Sequence, residues 1–247
     1  MINKKVVICG TARNVGNNIN KVFNNIYKIR DLFIESIVIV YYDKSDDNTL
    51  ELLKKENILI IENKEELHPL RVARICNGRN RLMDYINKNN FDPDYIIMLD
   101  LDDVCSQRIN INILLEDLKN DNHWSAMTYN KKDYYDIFAL CYDSYTYNCW
   151  SYGHLSPLIV DIIKKDITEK LNECSDYLEV KSAFNGFGIY KWNEFKNCTY
   201  GCNKLSLPNQ LPYQTYDIKE NCEHIKFHLE AIIKNKAKIK INKKILF

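Results

Sequence analysis

Three aspartates stand together directly after an apolar run near the middle of the chain. The run Tyr95–Leu99 predicts a buried strand, and Asp100, Asp102 and Asp103 follow it. Residues i and i+2 of an extended segment point to the same side, so Asp100 and Asp102 can converge on one ligand. A divalent cation, Mn²⁺ or Mg²⁺, would relieve the repulsion between the two carboxylates and tie both to a diphosphate. The alternative is that these acids cap a helix that begins near Arg108.

A second acidic segment, residues 43–49, follows an apolar run over residues 36–41. Asp47 or Asn48 is expected to cap the helix that comes next, because both residue types favour that position. Asp43 stands at the end of the strand and is not needed to cap the helix. Its carboxylate can accept hydrogen bonds from a base N–H or a ribose hydroxyl.

Arginines cluster just before the acidic strand, at Arg71, Arg74 and Arg79. Arginines near the start of a helix neutralise phosphate with bidentate geometry, and the helix dipole adds to the attraction. The alternative is a solvated basic face. Their position next to the acidic segment favours a phosphate site.

The N-terminal half alternates apolar runs with amphipathic segments. Strands are predicted over residues 5–9, 36–41, 58–61 and 95–99, and helices over residues 17–33, 50–56 and 77–89. This alternation predicts an α/β fold with a mostly parallel sheet and helices on both faces. Ligands of such sheets bind beyond the carboxyl ends of the strands, which is where the polar segments lie.

Together these segments resemble the GT-A class of glycosyltransferases, especially its family 2-like branch and its capsule mannosyltransferase-like relatives. The resemblance covers residues 5–104 and includes the first strand and loop, the acidic loop, an arginine–asparagine pair on a helix and the "D-x-D-D" segment. Two positions depart from the family pattern. Tyr42 replaces the first acid of the "DD-x-S-x-D-x-T" loop, and Gly78 replaces the alanine of the "ARN" triplet.

The resemblance implies a single Rossmann-like GT-A domain over residues 1–247. Residues 1–104 would bind a nucleotide sugar, and residues 105–247 would bind the acceptor. The implied activity is metal-dependent transfer of a sugar from a UDP- or GDP-sugar to a hydroxyl of a glycan or another acceptor, with Mn²⁺ (or Mg²⁺) held by Asp100 and Asp102. The implied donor-binding residues are Thr11, Arg13, Asp43, Arg74, Arg79, Asp100 and Leu101.

A late segment resembles the acidic motif that precedes the last helix in such enzymes. His224 stands where the family has a catalytic aspartate, so Glu223 and Asp103 are the candidate catalytic carboxylates. A general base would deprotonate the acceptor hydroxyl in an inverting mechanism. His224 and His228, spaced i, i+4 on one helix face, are candidate metal ligands. They can equally be ordinary surface or capping histidines, and the choice between retention and inversion stays open.

Two other functions fit part of the pattern. The segment around Asp100 also resembles the first motif of haloacid-dehalogenase-like phosphatases, where Asp100 would be the nucleophile and Asp102 the general acid. However, that motif normally opens its fold, whereas several strand–helix units precede it here. A non-catalytic glycan-binding protein on the same fold is the second alternative.

Composition excludes several classes of protein. The formal net charge of +1 lacks the basic field of a nucleic-acid-binding protein, so no nucleic-acid partner is expected. No segment approaches the run of about 18 apolar residues that predicts a transmembrane helix. The nine cysteines have no repeating spacing, which indicates free thiols in a reducing compartment. We therefore expect a cytoplasmic protein.

Overall fold

An eight-stranded sheet runs through both halves of the chain in the computed structural model, which describes residues 1–142, 157–202 and 221–247. The strands are β1 (Ile2–Ala12), β2 (Phe33–Tyr42), β3 (Leu59–Glu62), β4 (Tyr95–Leu99), β5 (Ala126–Asn130), β6 (Tyr177–Val180), β7 (Phe187–Lys191) and β8 (Ile239–Ile245). The helices are α1 (Ile19–Arg30), α2 (Thr49–Leu53), α3 (Arg71–Lys88), α4 (Ile111–Lys119), α5 (Pro157–Glu173), α6 (Trp192–Phe195) and α7 (Glu223–Asn235).

The strand order β3-β2-β1-β4-β7-β5-β8-β6 divides the sheet into two parts. In the first part, β3, β2, β1 and β4 are all parallel. In the second part, β7 is antiparallel to β4 and β5, β6 is antiparallel to β8, and β5 is parallel to β8. Four of the seven pairings between these strands are parallel, so the predicted α/β class is confirmed. The antiparallel β7 is an addition that the sequence pattern did not indicate.

Helices cover both faces of the sheet, which explains why its central strands read as unbroken apolar runs. Along β1, Val7 and Cys9 belong to the core on one face, while Val6 and Ile8 belong to the core on the other. All four side chains are at most 1% exposed. No helix in the described ranges combines the length with the apolar character that a bilayer crossing demands.

Several helix boundaries differ from the prediction, and α2 ends at Leu53 instead of Glu56. α1 ends at Arg30, and Phe33 begins β2 rather than closing the helix. α3 begins at Arg71 instead of Asn77, and Val72 and Cys76 of its first turns are buried. The aspartates after β4 do not cap a helix near residue 108. Asp102 instead accepts the N–H that opens a short 3₁₀ turn, and α4 begins only at Ile111.

Gly78 allows α3 to approach the sheet closely. A Cβ at this position would lie 2.7 Å from Cδ1 of Tyr41 and 2.9 Å from Cγ2 of Thr11. In an open helix, Gly78→Ala would gain up to about 1 kcal/mol from helix propensity. We expect overpacking to prevail here and to lower the free energy of unfolding by about 1–3 kcal/mol, as measured by urea denaturation.

Asp84→Ala is the matched control, because Asp84 is exposed on the same helix. Its free energy of unfolding should change by no more than about 0.5 kcal/mol. A Gly78→Ala protein as stable as wild type would contradict the tight packing of α3 against β1 and β2.

Candidate active site

A cleft of about 290 Å³ opens at the carboxyl ends of β1, β2 and β4. Its lining includes seven of the predicted site residues: Thr11, Arg13, Asp43, Arg74, Asp100, Leu101 and Asp102. The parallel part of the sheet thus brings together segments that are far apart in the sequence, at the edge where open α/β sheets bind ligands.

Hydrogen bonds between two loops form one wall of the cleft. The Gly16 N–H donates to Oδ2 of Asp47 at 2.9 Å, and the Asp46 N–H donates to Oδ1 of Asn14 at 2.8 Å. Oδ1 of Asp47 also accepts the Thr49 N–H at 3.0 Å, a bond that stabilises the start of a helix. The expected role at the helix start therefore falls to Asp47.

Asp43 is held at the end of β2 by partners on two sides. Nδ2 of Asn63 donates to its Oδ1 at 2.8 Å, and Nε of Arg74 lies 3.7 Å from its Oδ2. Arg74 also donates to the carbonyl oxygens of His68 at 2.6 Å and Pro69 at 3.1 Å. A second cleft, of about 370 Å³, adjoins Asp43 and Arg74. The carboxylate is therefore fixed in place with room for a ligand beside it.

Asp100 and Asp102 leave β4 and enter the cleft. The Asp100 N–H donates to the Gly186 carbonyl at 2.8 Å, and the Asp102 carboxylate accepts the Val104 N–H at 3.0 Å. The pKa of Asp100 is raised to about 7, mainly by burial; Arg79 opposes the shift and Asp102 adds to it. Burial also raises the pKa of Asp102. Two carboxylates that burial disfavours as anions fit a divalent cation, whose charge would offset that effect.

The guanidinium of Arg79 joins three elements behind the cleft. Nη2 donates to Oδ1 of Asp100 at 3.1 Å, and Nη1 forms an ion pair with Glu223 at the start of α7. Its Cζ lies 4.6 Å from the ring centroid of Phe184. Arg79 is only 3% exposed and does not line the cleft. The expected contact between Arg79 and a diphosphate therefore has no support in this geometry, because two carboxylates already compensate its charge.

Three other arginines line the cleft. Nε of Arg13 donates to the Lys44 carbonyl at 3.0 Å, which fixes this side chain, while Arg71 and Arg74 occupy the first turn of α3. The charge of Arg71 lowers the pKa of Asp102 against the larger effect of burial. Arginines at a helix N-terminus combine their own charge with the helix dipole. These three side chains are the ones that the geometry offers to a diphosphate.

His224 and His228 lie inside the core on one face of α7. The Nε2 of His224 contacts Arg79, while His228 places Nδ1 2.9 Å from the Ser182 hydroxyl and Nε2 3.3 Å from the Tyr190 hydroxyl. Burial lowers the pKa of both rings, that of His228 to about 3, so both are neutral. Both ring nitrogens of His228 are thus engaged inside the protein. Across the ranges described, no three His, Cys, Asp or Glu side chains are grouped to hold a metal, so the geometry does not support the two histidines as ligands.

The two predicted catalytic carboxylates lie in different surroundings. Glu223 is 5% exposed and is paired with Arg79. Asp103 is exposed to solvent in the turn that follows β4. The structure therefore brings Glu223, but not the side chain of Asp103, into the group of charges around Arg79.

Asp136 is a further carboxylate, close enough to Asp100 to raise the pKa of that group, and the sequence motifs do not indicate it. Its N–H donates to Oδ1 of Asn185 at 2.8 Å, and the neighbouring Gly186 accepts the Asp100 N–H. Burial raises the pKa of Asp136 to about 6, against a hydrogen bond from the Ala139 N–H. In the sequence Asp136 stands in an aromatic-rich run, a pattern that core packing explains equally well.

Removal of Arg79 would leave a buried carboxylate without its partner. We expect Arg79→Met to lower the free energy of unfolding by about 3–5 kcal/mol, because Glu223 would then be buried and unpaired. Urea denaturation measures the change. Arg81→Met is the control on the same helix, since its pair with Glu65 is exposed and such pairs contribute at most about 1 kcal/mol. Equal effects of the two substitutions would contradict a stabilising role for the buried pair.

Solved structures similar to the chain include proteins bound to nucleotides and nucleotide sugars. S. aureus TarS 1–349 in complex with UDP-GlcNAc has a TM-score of 0.54 and 14% identity, and the match covers 98% of this chain and 57% of that fragment. The mannosyltransferase PcManGT from Pyrobaculum calidifontis, in complex with GDP-Man and Mn²⁺, has a TM-score of 0.53 and 10% identity, with coverages of 98% and 57%. Glucosyl-3-phosphoglycerate synthase from Mycobacterium tuberculosis, in complex with Mn²⁺, UDP and phosphoglyceric acid, has a TM-score of 0.54 and 10% identity, with coverages of 97% and 69%.

No protein-family model matches the chain, and no curated protein matches its sequence. The chain spans a little over half the length of the TarS 1–349 fragment and of PcManGT, and about a third of the longer TarS chain. At these identities the similarity concerns the fold. The predicted GT-A fold is therefore confirmed: the chain has the fold of these glycosyltransferases.

Proposed function

We propose that the protein is a metal-dependent glycosyltransferase that moves a sugar from a UDP- or GDP-sugar to a hydroxyl of a glycan or a similar acceptor. The proposal rests on one observation: Asp100 and Asp102 share a cleft with Arg71 and Arg74 of the first turn of α3, at the carboxyl ends of the strands. The structures with the same fold hold UDP-GlcNAc, GDP-Man or UDP, which supports a nucleotide sugar as the donor.

The N-terminal half, residues 1–104, would bind the donor. Asp43 and Thr11 would recognise the nucleoside, since a fixed carboxylate can accept a base N–H or a ribose hydroxyl. Arg13, Arg71 and Arg74 would bind the diphosphate through charge-assisted hydrogen bonds. Residues 105–247 would then contribute the acceptor side of the site.

Asp100 and Asp102 would hold the divalent cation, Mn²⁺ or Mg²⁺, because hard oxygen ligands suit both ions. Two of the similar structures contain Mn²⁺. When bound, the cation acts as a Lewis acid that offsets the charge of the departing diphosphate. Arg71 and Arg74, in the first turn of α3, would stabilise the same charge.

The two alternative functions have less support. A phosphatase mechanism needs the Asp100 carboxylate free to attack phosphorus, whereas its Oδ1 accepts a hydrogen bond from Arg79 and burial raises its pKa to about 7. A protein that only binds glycans would have no use for carboxylates and arginines gathered in one cleft. Neither alternative has an observation of its own in its favour.

Nucleotide binding should stabilise the protein in a metal-dependent way. A nucleotide at about 100 times its dissociation constant adds about 2.7 kcal/mol, which raises the Tm of a chain of this size by about 5–10 °C. We expect this shift for UDP or GDP with Mn²⁺. The metal-dependent part should vanish in Asp102→Asn, which removes one anionic ligand. Thermal denaturation with UDP, GDP and CDP, each with and without Mn²⁺, measures it.

Asp92→Asn is the control for charge, because Asp92 is exposed beyond the other end of β4. It should retain the full shift. The proposal fails if no nucleotide shifts the Tm of the wild-type protein in the presence of Mn²⁺, or if Asp102→Asn keeps the metal-dependent shift.

Arg71 should act on the diphosphate and not on the nucleoside. Loss of a charge-assisted hydrogen bond costs about 1.5–3 kcal/mol, so Arg71→Gln should weaken UDP or GDP binding about 10- to 100-fold. Binding of uridine or guanosine should not change. Calorimetric titration measures both, and Arg81→Gln on the same helix should match wild type. Equal weakening of nucleoside and nucleotide would show that Arg71 acts through the shape of the site instead.

A further inference from the structure

The side chains at the expected position of the general base already contact other groups of the protein. Glu223 is paired with Arg79 and is 5% exposed. The neutral ring of His224 contacts the same guanidinium and stacks on Phe184, with ring centroids 3.8 Å apart. Both side chains are thus buried and engaged with Arg79, so neither is free to contact an acceptor hydroxyl. The acceptor proton therefore needs another group.

One turn of the chain holds both Asp136 and Asp100. Oδ1 of Asn185 accepts the Asp136 N–H at 2.8 Å, and the Gly186 carbonyl accepts the Asp100 N–H at 2.8 Å. Nδ2 of Asn185 donates in turn to the Tyr129 carbonyl at 3.1 Å. Both turn residues have positive φ, +54° and +85°, and a Cβ at Gly186 would clash with a neighbouring side chain. Asp136 and Asp100 are thus attached to adjacent residues of a turn that two hydrogen bonds and tight packing hold in place.

The Asp136 carboxylate keeps the capacity to accept a proton. Its Oδ1 accepts the Ala139 N–H at 3.1 Å, and within the described ranges it forms no ion pair, unlike Asp100 and Glu223. It is partly exposed. Burial raises the pKa of Asp136 to about 6. A general base works best when its pKa lies near the working pH.

We infer that Asp136 is the general base of the transfer reaction, an inference that rests on the proposed function. The acceptor hydroxyl gives its proton to the Asp136 carboxylate while the hydroxyl oxygen forms a bond to the anomeric carbon of the sugar. The bond from that carbon to the diphosphate oxygen breaks, and its electron pair leaves with the nucleoside diphosphate. Asp136 later releases the proton to solvent.

Asp136→Asn tests the assignment, because the amide oxygen can still accept the Ala139 N–H but does not take a proton. The reaction is transfer to water, measured as UDP or GDP released from UDP-GlcNAc or GDP-mannose with Mn²⁺ and with donor in excess over enzyme. We expect kcat to fall on the order of 10²- to 10⁴-fold. The donor KM and the nucleotide-induced shift in Tm should stay at wild-type values.

Asp133→Asn is the matched control. Asp133 is exposed in the same loop and has φ +59°, a conformation that asparagine tolerates. This variant should hydrolyse the donor at the wild-type rate. A loss of activity in both variants would show that the loop, and not the Asp136 carboxylate, is required, and would overturn the assignment.

Azide separates a lost base from a damaged site. Azide carries no proton, so its attack on the sugar needs no base. In Asp136→Ala, added azide should restore donor consumption and yield the glycosyl azide. The assignment is overturned if Asp136→Asn keeps wild-type hydrolysis, if azide does not rescue Asp136→Ala, or if azide rescues Glu223→Gln instead. A wild-type protein that binds no nucleotide overturns the proposed function and this role with it, which the Tm measurement reports separately.

Discussion

The buried charge of Arg79 is the constraint on which the rest of the site depends. A guanidinium removed from water is tolerated only where anions and hydrogen-bond acceptors surround it. Asp100 after β4 and Glu223 at the start of α7 meet that need, and Phe184 lies against the guanidinium face. One side chain therefore fixes the relative positions of α3, the end of β4 and the start of α7. These three elements are far apart in the sequence, so long-range contacts such as those of Arg79 are needed to fix their relative positions.

The position of α3 has a direct consequence for the cleft. Asn80, next to Arg79 in the sequence, exchanges two hydrogen bonds with the backbone of Tyr200: its Nδ2 donates at 3.0 Å and its Oδ1 accepts at 2.8 Å. Gly78 brings the same turn of the helix against β1 and β2. With its middle held this way, the helix presents its first turn, with Arg71 and Arg74, at the carboxyl edge of the sheet. The antiparallel β7 completes the arrangement. Because Phe187, at the start of β7, pairs with Leu99, at the end of β4, the turn before β7 lies beside the aspartates that follow β4.

The parallel half of the fold could be predicted from the sequence because its strands are apolar runs that end in polar residues. Asp43, Asp100 and Asp102 were found by that rule, and all three line the cleft. The sequence did not indicate that Arg79 is buried, because the helix was expected to begin at residue 77. With the true start at Arg71, Arg79 falls on the buried stripe of the helix.

The buried stripe of α3 consists of Val72, Cys76, Gly78, Arg79, Leu82, Met83 and Ile86. The i, i+4 spacing of His224 and His228 is ambiguous, because one helix face can point toward a metal or into a core. Here it points into the core. Asp136 lies outside any periodic segment. Its place is set by a hydrogen bond to Asn185, and no local pattern encodes such a long-range contact.

The distribution of charge suggests how a donor would be oriented. Asp100, Glu223 and Asp136 lie around Arg79, so carboxyl groups outnumber the arginine in the inner part of the site. The pKa values of Asp100 and Asp136 are raised mainly by burial. Of the cleft arginines, Arg74 lies beside Asp43, and the charge of Arg71 acts on Asp102. A diphosphate is drawn toward the arginines and a cation toward the aspartates. In the proposed complex the nucleoside therefore lies on the side of α3, and the sugar points past the cation toward the turn that holds Asp136.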